Sequence, residues 1–229
     1  MSSDDPSKRP DNCFKHQRYG VPSAFFAVVQ LSSWFTQIPR LLAQLRDSQV
    51  VSANKIINVA YATNADYGGV LHPPYKQHCG QRLANAALSM VYSKPVNWRS
   101  PTYASAEETG RGEVTVSLHD VLDAGLTLKI PFNIRTAGRR CLEANKRTPQ
   151  ICAWSSIQFN DASKTWVNAT VSLSADRHRM VLTAPFPSGA TNAIATSYGW
   201  GSMSMLPVYR ADMEGKDGQL PVLPWNRTL

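Results

Sequence analysis

One histidine in the first half of the chain occupies a position typical of a catalytic imidazole. His72 follows an apolar run over residues 55–62, which predicts a strand, and then a loop that contains glycines. Two prolines, Pro73 and Pro74, come directly after it and suit the first turn of a helix, where a missing N–H costs nothing. Ligands of α/β proteins bind beyond the carboxyl ends of the strands, so His72 is placed to act as a general base. The alternative interpretation is a capping or turn residue.

The elements that carry His72 alternate between strand-like and helix-like patterns. We predict strands over residues 24–31 and 56–62, and helices over residues 39–47 and 75–91. The second helix is amphipathic, because apolar residues recur at helical spacing from Cys79 to Val91. This alternation is typical of an α/β fold. Two strands rarely form a stable sheet by themselves, so this region predicts only part of an α/β domain.

The pattern changes after a stretch near residues 92–101 that contains prolines and polar residues. Short runs of alternating hydrophobicity follow, and they predict a β-sandwich or jelly-roll-like domain whose core includes Trp166 and Trp200. The predicted strands include residues 113–118, 126–130, 155–159, 169–173 and 180–183. We therefore expect a disordered segment over residues 1–19, an α/β domain over residues 20–93 and a β-sandwich domain over residues 94–229.

The segment around His72 also resembles a motif of a known enzyme family. His72-Pro-Pro-Tyr-Lys-Gln, followed by Arg82-Leu83-Ala84, resembles the His-Pro-x-x-Lys-Gln block and the Arg-Leu-Ala helix of the sialate O-acetylesterase family of carbohydrate esterases. Residues 26–34 and 39–40 resemble the strand and helix that precede that block in the family. The family's C-terminal β-domain is similar to four stretches of this chain, residues 157–159, 166–169, 195–200 and 218–224. The resemblance implies part of an SGNH-hydrolase type (flavodoxin-like) α/β sheet followed by the β-sandwich domain.

The resemblance also implies a reaction and roles for particular residues. Members hydrolyse O-acetyl esters of sialic acids or related sugars, with no metal or cofactor, and His72 matches their catalytic histidine. Their orienting aspartate typically lies three residues before the histidine, where this chain has Gly69. Asp66 is the nearest carboxylate, and it is expected either to orient His72 or to serve as a turn residue, since some serine hydrolases work as dyads. Trp34 and Tyr67 are candidates for lining a sugar cleft, with packing as the alternative.

The nucleophile that such an esterase needs is missing from the sequence. No Gly-x-Ser-x-Gly elbow occurs, and no segment before Phe25 matches the family's serine block. We therefore expect the C-terminal part of a longer enzyme, inactive alone, with an N-terminal catalytic fragment as its partner. Two alternatives stay open: a noncatalytic carbohydrate-binding or interaction protein built on the β-domain, and an acetylxylan-esterase-like enzyme.

The charge distribution and the hydropathy argue against nucleic acids and membranes as partners. The formal net charge is +8, but the basic residues come as scattered pairs such as Arg139-Arg140, which does not favour nucleic-acid binding. A basic surface would also attract an anionic sugar such as a sialic acid. No apolar run is long enough to span a membrane.

The cysteines and the N-terminal residues do not determine the cellular compartment of the protein. Cys13, Cys79, Cys141 and Cys152 lack the spacing of a zinc or redox site, and Cys79 is expected in the core of its helix. The first ten residues do not form a signal peptide, whereas the resemblance implies a lysosomal or secreted protein. Two glycosylation sequons, at Asn168 and Asn226, matter only in a secreted context.

Overall fold

The first part of the chain forms a small parallel sheet with two helices. The computed structural model describes residues 24–34, 38–67, 72–73, 76–129, 154–213 and 218–229. The elements are β1 (Phe26–Gln30), α1 (Pro39–Lys55), β2 (Val59–Thr63), a short 3₁₀ turn (Ala65–Tyr67) and α2 (Gln77–Met90). β1 and β2 pair in parallel over their whole lengths, and α1 is the crossover between them. The predicted strand–helix–strand–helix order is therefore confirmed.

The boundaries of α1 and β2 differ from the prediction. We expected the helix to end near Asp47, but α1 continues to Lys55 because Val50 and Ala53 extend its buried face. The predicted strand from residue 56 begins only at Val59. The connection turns at Asn58, whose φ of 60° lies in the left-handed region that asparagine tolerates.

The second part of the chain is mostly β-structure. Its strands are β3 (Thr102–Gly110), β4 (Glu113–His119), β5 (Leu126–Leu128), β6 (Ser155–Phe159), β7 (Trp166–Leu173), β8 (Arg179–Thr183), β9 (Ala193–Tyr198), β10 (Val208–Arg210) and β11 (Trp225–Thr228). Seven of them form one antiparallel sheet in the order β11-β9-β6-β7-β8-β4-β3, and β5 pairs with β10. The hydroxyl of Tyr103 on β3 donates to the Thr228 carbonyl on β11 over 3.4 Å, so the edge strands approach each other and the sheet is strongly curled.

Strand alternation explains the core of this sheet. Val114, Val116, Ile157, Val171 and Leu182 are completely buried and lie on its inner side. The prediction of a β-rich second part is confirmed, although its strands form one large curled sheet and a small ribbon instead of two comparable sheets. The assignment of the first part to the SGNH type and the domain boundaries remain predictions, and residues 1–19 lie outside the described residues.

Trp166 corrects one expectation about the core. Its side chain is 41% exposed, so the prediction that it lies in the core is wrong. The buried residues of β7, Ala169 and Val171, are at odd positions, and the period of two therefore places Trp166 on the outer face. Trp200 is half-buried.

Buried arginines join the two parts of the chain. Arg46 of α1 donates to the carbonyls of Leu31 and Ser32 after β1, and also to the carbonyls of Gly201 and Ser202. Burial lowers the pKa of Arg46 to about 10, which leaves its guanidinium charged at neutral pH. Because it donates hydrogen bonds to carbonyls of both parts, Arg46 holds the end of β1 against the β-region.

No helix among the described residues has the length and apolar character required to cross a bilayer.

Candidate functional site

Buried polar side chains gather where the two parallel strands end. Gln30 and Ser32 belong to the end of β1, whereas Thr63 and Asn64 belong to the end of β2. Thr63 Oγ1 donates to Gln30 Oε1 over 2.5 Å, and Asn64 Nδ2 donates to Ser32 Oγ over 2.9 Å. Asn64 Oδ1 is the buried side-chain atom without a hydrogen-bond partner among the described residues. The carboxyl ends of the strands are thus tied together by side chains.

Asp66 lies in the 3₁₀ turn after β2 and forms a buried ion pair with Arg82 of α2. Arg82 Nη1 donates to Oδ1 over 2.8 Å and Nη2 donates to Oδ2 over 2.7 Å, with both side chains only 1% exposed. Burial alone would lower the pKa of Arg82, but the Asp66 charge and its hydrogen bonds raise it. Arg82 therefore stays charged, and it binds the Asp66 carboxyl group in the bidentate geometry that suits a buried pair.

Two further contacts connect this ion pair to the β-region. Tyr209 on β10 donates its hydroxyl to Asp66 Oδ2 over 3.2 Å, and Arg82 donates to the carbonyls of Gln219 and Thr63. Burial, and to a smaller extent the nearby Asp66 charge, raises the pKa of Tyr209 well above its ordinary value. The phenol therefore stays protonated as a donor, and Asp66 is satisfied by partners from both parts of the chain.

His72 lies in the connection between the 3₁₀ turn and α2, as the sequence predicts, and it is exposed. The structure shows no hydrogen bond between His72 and Asp66 among the described residues. Asp66 is hydrogen-bonded to Arg82 and Tyr209. The catalytic role of His72 and an orienting role of Asp66 remain predictions.

The two aromatic candidates have different surroundings. Tyr67 stacks on His78 with ring centroids 4.5 Å apart and planes 1° apart, and the guanidinium of Arg82 lies 4.9 Å from its ring centre. The side chain of Trp34 is 43% exposed, and its backbone N–H donates to the Ser202 carbonyl over 3.1 Å. Tyr67 is therefore held against α2, whereas Trp34 presents an open aromatic surface. Their roles in sugar binding remain predictions.

Sequence reasoning missed the importance of Arg82 and Tyr209. A signal for Arg82 was present, because it shares the apolar face of α2 with Cys79 and Ala86, where an arginine needs a buried partner. Its acceptors include the distant carbonyl of Gln219, which no local pattern indicates. The prediction that Cys79 is a core residue is confirmed, and burial raises the pKa of its thiol. The other three cysteines lie outside the described residues.

Among the described residues, no three His, Cys, Asp or Glu side chains come together as a metal-binding group.

Comparison with known proteins identifies a related fold. Neither a protein-family model nor a curated protein sequence matches this chain. Its structure is similar to that of a carbohydrate acetylesterase from Xanthomonas citri, with a TM-score of 0.64 and 20% sequence identity. The similarity covers 93% of this chain and 43% of the chain of that enzyme, so this chain spans less than half of its length. The chain therefore shares the fold of the corresponding part of a carbohydrate acetylesterase.

Proposed function

We propose that this chain is the histidine-bearing part of a carbohydrate esterase that hydrolyses O-acetyl esters on sialic acids or related acetylated sugars. The observation that carries the proposal is the likeness to the Xanthomonas citri acetylesterase over 93% of the chain. The His72 block, which resembles that of the sialate O-acetylesterases, adds support from the sequence. His72 lies after the parallel strands and in an exposed connection. This position is suited to a base that must reach a serine beside the bound substrate.

In this proposal His72 removes the proton of a serine hydroxyl as the serine attacks the acetyl carbonyl. It then gives the proton to the departing sugar oxygen and activates water to release acetate. The serine and the oxyanion donors come from a polypeptide segment outside the described residues. Ser32 and Ser33 are poor substitutes because they are buried, and Ser33 already donates to the Ala65 carbonyl over 2.5 Å.

Asp66 has a different part in this scheme from that of an orienting carboxylate. Both of its oxygens already accept hydrogen bonds from Arg82, and His72 is exposed. We therefore assign the base to a Ser–His dyad, a form known among serine hydrolases. Asp66 and Arg82 act as positioning residues, since they hold the turn that leads from β2 towards His72.

An assay of the purified chain tests whether its catalytic machinery is incomplete. We expect no turnover of 4-nitrophenyl acetate or of an O-acetylated sialic acid above the buffer rate. Robust turnover that is abolished in the His72→Ala variant, and retained in His119→Ala, would show that the chain is a complete esterase. His119 is a suitable control because it is also an exposed histidine.

A second candidate function is noncatalytic carbohydrate binding by the β-region. The observation in its favour is the exposure of Trp154 and Trp166, since aromatic faces commonly cover sugar rings. In that case the whole chain should bind glycans with an affinity that Trp166→Ala weakens and His72→Ala leaves unchanged.

For the esterase, acetylated xylan and O-acetylated sialic acid should be compared as substrates, because the sequence resemblance does not separate them.

A further inference from the structure

A cavity of about 270 Å³ lies between α1 and the β-region. Residues of both parts of the chain line it, and all of them belong to the described ranges. Its volume is just below the range of about 300–1,000 Å³ that is usual for small-molecule sites. The cavity therefore suits one compact ring better than an extended chain of sugars.

Apolar side chains form the inner wall of this cavity. Val50, Leu223 and Trp225 line it and are buried, and Tyr103 adds a half-buried aromatic ring. The ring of Tyr103 packs on Trp225 with centroids 5.6 Å apart, which holds it in place. A rigid apolar wall that includes an aromatic ring suits the C–H face of a sugar.

An ion pair contributes hydrogen-bonding groups to the same cavity. Arg227 Nη2 donates to both carboxylate oxygens of Asp47, over 2.7 and 2.9 Å, and Nη1 donates to the Asn226 carbonyl over 2.9 Å. A guanidinium has about five N–H donors and a carboxylate about four acceptor positions, so both side chains keep groups for a ligand. The pair thus offers a donor and an acceptor to sugar hydroxyl groups.

The other polar groups of the cavity make it rich in donors. Lys55 is exposed and has no ion-pair partner among the residues that the structure describes. Asn54 Oδ1 accepts from Arg99 Nη1 over 2.9 Å, which orients the amide and leaves Nδ2 as a donor. The lining has two cationic side chains and one carboxylate, and its net charge is therefore positive. Such a surface attracts an anion, and a carboxylate is a good acceptor for lysine and amide donors.

We propose that this cavity is a binding site for an acidic sugar ring, a hexuronic acid unit of a glycan. The apolar face of the ring covers Tyr103 and the inner wall, and the carboxylate binds Lys55 and Asn54. The hydroxyl groups bind the ion pair. The volume favours a single ring, the net charge favours an acid, and the ion pair favours hydroxyl groups. The site requires neither an acetyl group nor a serine, so it goes beyond the proposed esterase function.

The experiment is an NMR titration of the full chain with methyl β-glucuronide, a single ring that carries the carboxylate. The signals followed are the backbone amides of Lys55 and Tyr103 and the side-chain amide of Asn54. We expect them to shift with a dissociation constant of about 1 mM, in keeping with so small a ligand. Methyl β-glucoside, which has a hydroxymethyl group in place of the carboxylate, should bind about fivefold more weakly.

Two variants test the charge and the space separately. Lys55→Met should weaken glucuronide binding about fivefold and leave glucoside binding unchanged, since it removes only an exposed charge. Its control is Lys94→Met, which removes an exposed lysine outside the lining and should change neither. Val51→Trp fills the cavity from an exposed position of α1 and should abolish binding. Leu45→Trp, also exposed on α1 but outside the lining, should not, and circular dichroism checks that each variant is folded.

Four results would overturn the site. The first is the absence of shifts at glucuronide concentrations well above the expected dissociation constant. The second is equal binding of the glucoside, and the third is binding that Val51→Trp leaves unchanged. The fourth is tighter binding of benzoate, a ring with a carboxylate but no hydroxyl groups, because the site would then not be one for sugars. Glucuronide binding should be the same in His72→Ala, so the site and the proposed esterase can fail independently.

Discussion

At the scale of single residues, the region around the candidate site combines a buried ion pair with an exposed histidine. Asp66 and Arg82 are each about as buried as a core leucine, and they satisfy each other with two hydrogen bonds. His72 lies a few residues further on and faces solvent. In the proposed function, stability and chemistry therefore depend on different residues, and the two can be tested separately.

Replacing Arg82 should destabilise the protein strongly. Arg82→Met leaves the Asp66 carboxylate buried without its partner, and we expect a loss of about 3–5 kcal/mol in the free energy of unfolding. Urea denaturation measures it. The control is Asp47→Asn, which breaks a half-exposed pair with Arg227 and should cost less than about 1 kcal/mol. Equal losses in the two variants would show that burial does not govern the strength of these pairs.

Stability should fall in alkaline solution because of buried phenols. Burial raises the pKa of Tyr209, so the folded protein keeps a proton that the unfolded chain loses above about pH 10. The stabilisation is complete below that pH and is lost as the pH rises, by up to about 1.4 kcal/mol per pH unit for one group. Tyr209→Phe should therefore show a shallower loss of unfolding free energy between pH 10 and 11. A slope identical to that of the unchanged protein would contradict a buried neutral Tyr209.

The sequence predicted the location of His72 but not the partner of Asp66. A strand, a loop and two prolines are local features, so they indicate where the histidine lies. The pairing of Asp66 with Arg82 and Tyr209 depends on α2 and β10 meeting in the folded chain, and sequence separation hides that meeting. The orienting role of Asp66, chosen as the nearest carboxylate to His72, stays a prediction for this reason.

At the scale of elements, the hairpin between β3 and β4 depends on a glycine. Gly112 has a φ of +79°, and a Cβ there would collide with the Ala184 carbonyl oxygen. Gly189 has the same φ with nothing near the position of a Cβ. Gly189→Ala should cost about 1–2 kcal/mol from backbone strain alone. Gly112→Ala should cost about 1–3 kcal/mol more, because the backbone must also move. Thermal unfolding distinguishes the two, and equal costs would exclude the collision.

Element types were predictable where their periodicity was strong. β4, β6 and β8 were predicted almost to their ends, since apolar and polar residues alternate along them. The C-terminal half of α1 was missed because Ser48, Gln49 and Ser52 interrupt its pattern, although its inner face continues through Val50 and Ala53. Parallel pairing of β1 with β2 follows from the crossover helix, as expected for an α/β unit.

At the scale of the whole molecule, buried arginines should make the two parts unfold together. Arg46 hydrogen-bonds carbonyls on both sides of the junction, and Arg227 pairs with Asp47 across it at the surface. We expect a single transition in urea when far-ultraviolet circular dichroism and tryptophan fluorescence are compared. Arg46→Met should separate the two signals, and Arg227→Met, whose pair is half-exposed, should not. Separate transitions in the unchanged protein would contradict this coupling.

The overall arrangement was only partly predictable, because local sequence patterns do not record contacts between segments far apart in the chain. An α/β part followed by a β-rich part could be predicted from the change in hydrophobic period near residue 92. The junction between the two parts could not be predicted, because most acceptors of Arg46 are backbone carbonyls in irregular segments, which carry no side-chain signature. The curling of the large sheet also depends on contacts between strands far apart in sequence, such as β3 and β11.

The most direct test of the central claim is the turnover of an O-acetylated sialic acid by the chain combined with the part of the Xanthomonas citri enzyme outside the matched region, where the proposed function expects the nucleophile. We predict that the combination hydrolyses the ester, and that His72→Ala lowers kcat by about a thousandfold or more while His119→Ala has no effect. Unchanged sedimentation of the His72→Ala complex would show that only the chemistry is lost. Full activity of the His72→Ala combination would contradict the assignment of His72 as the base of a carbohydrate esterase.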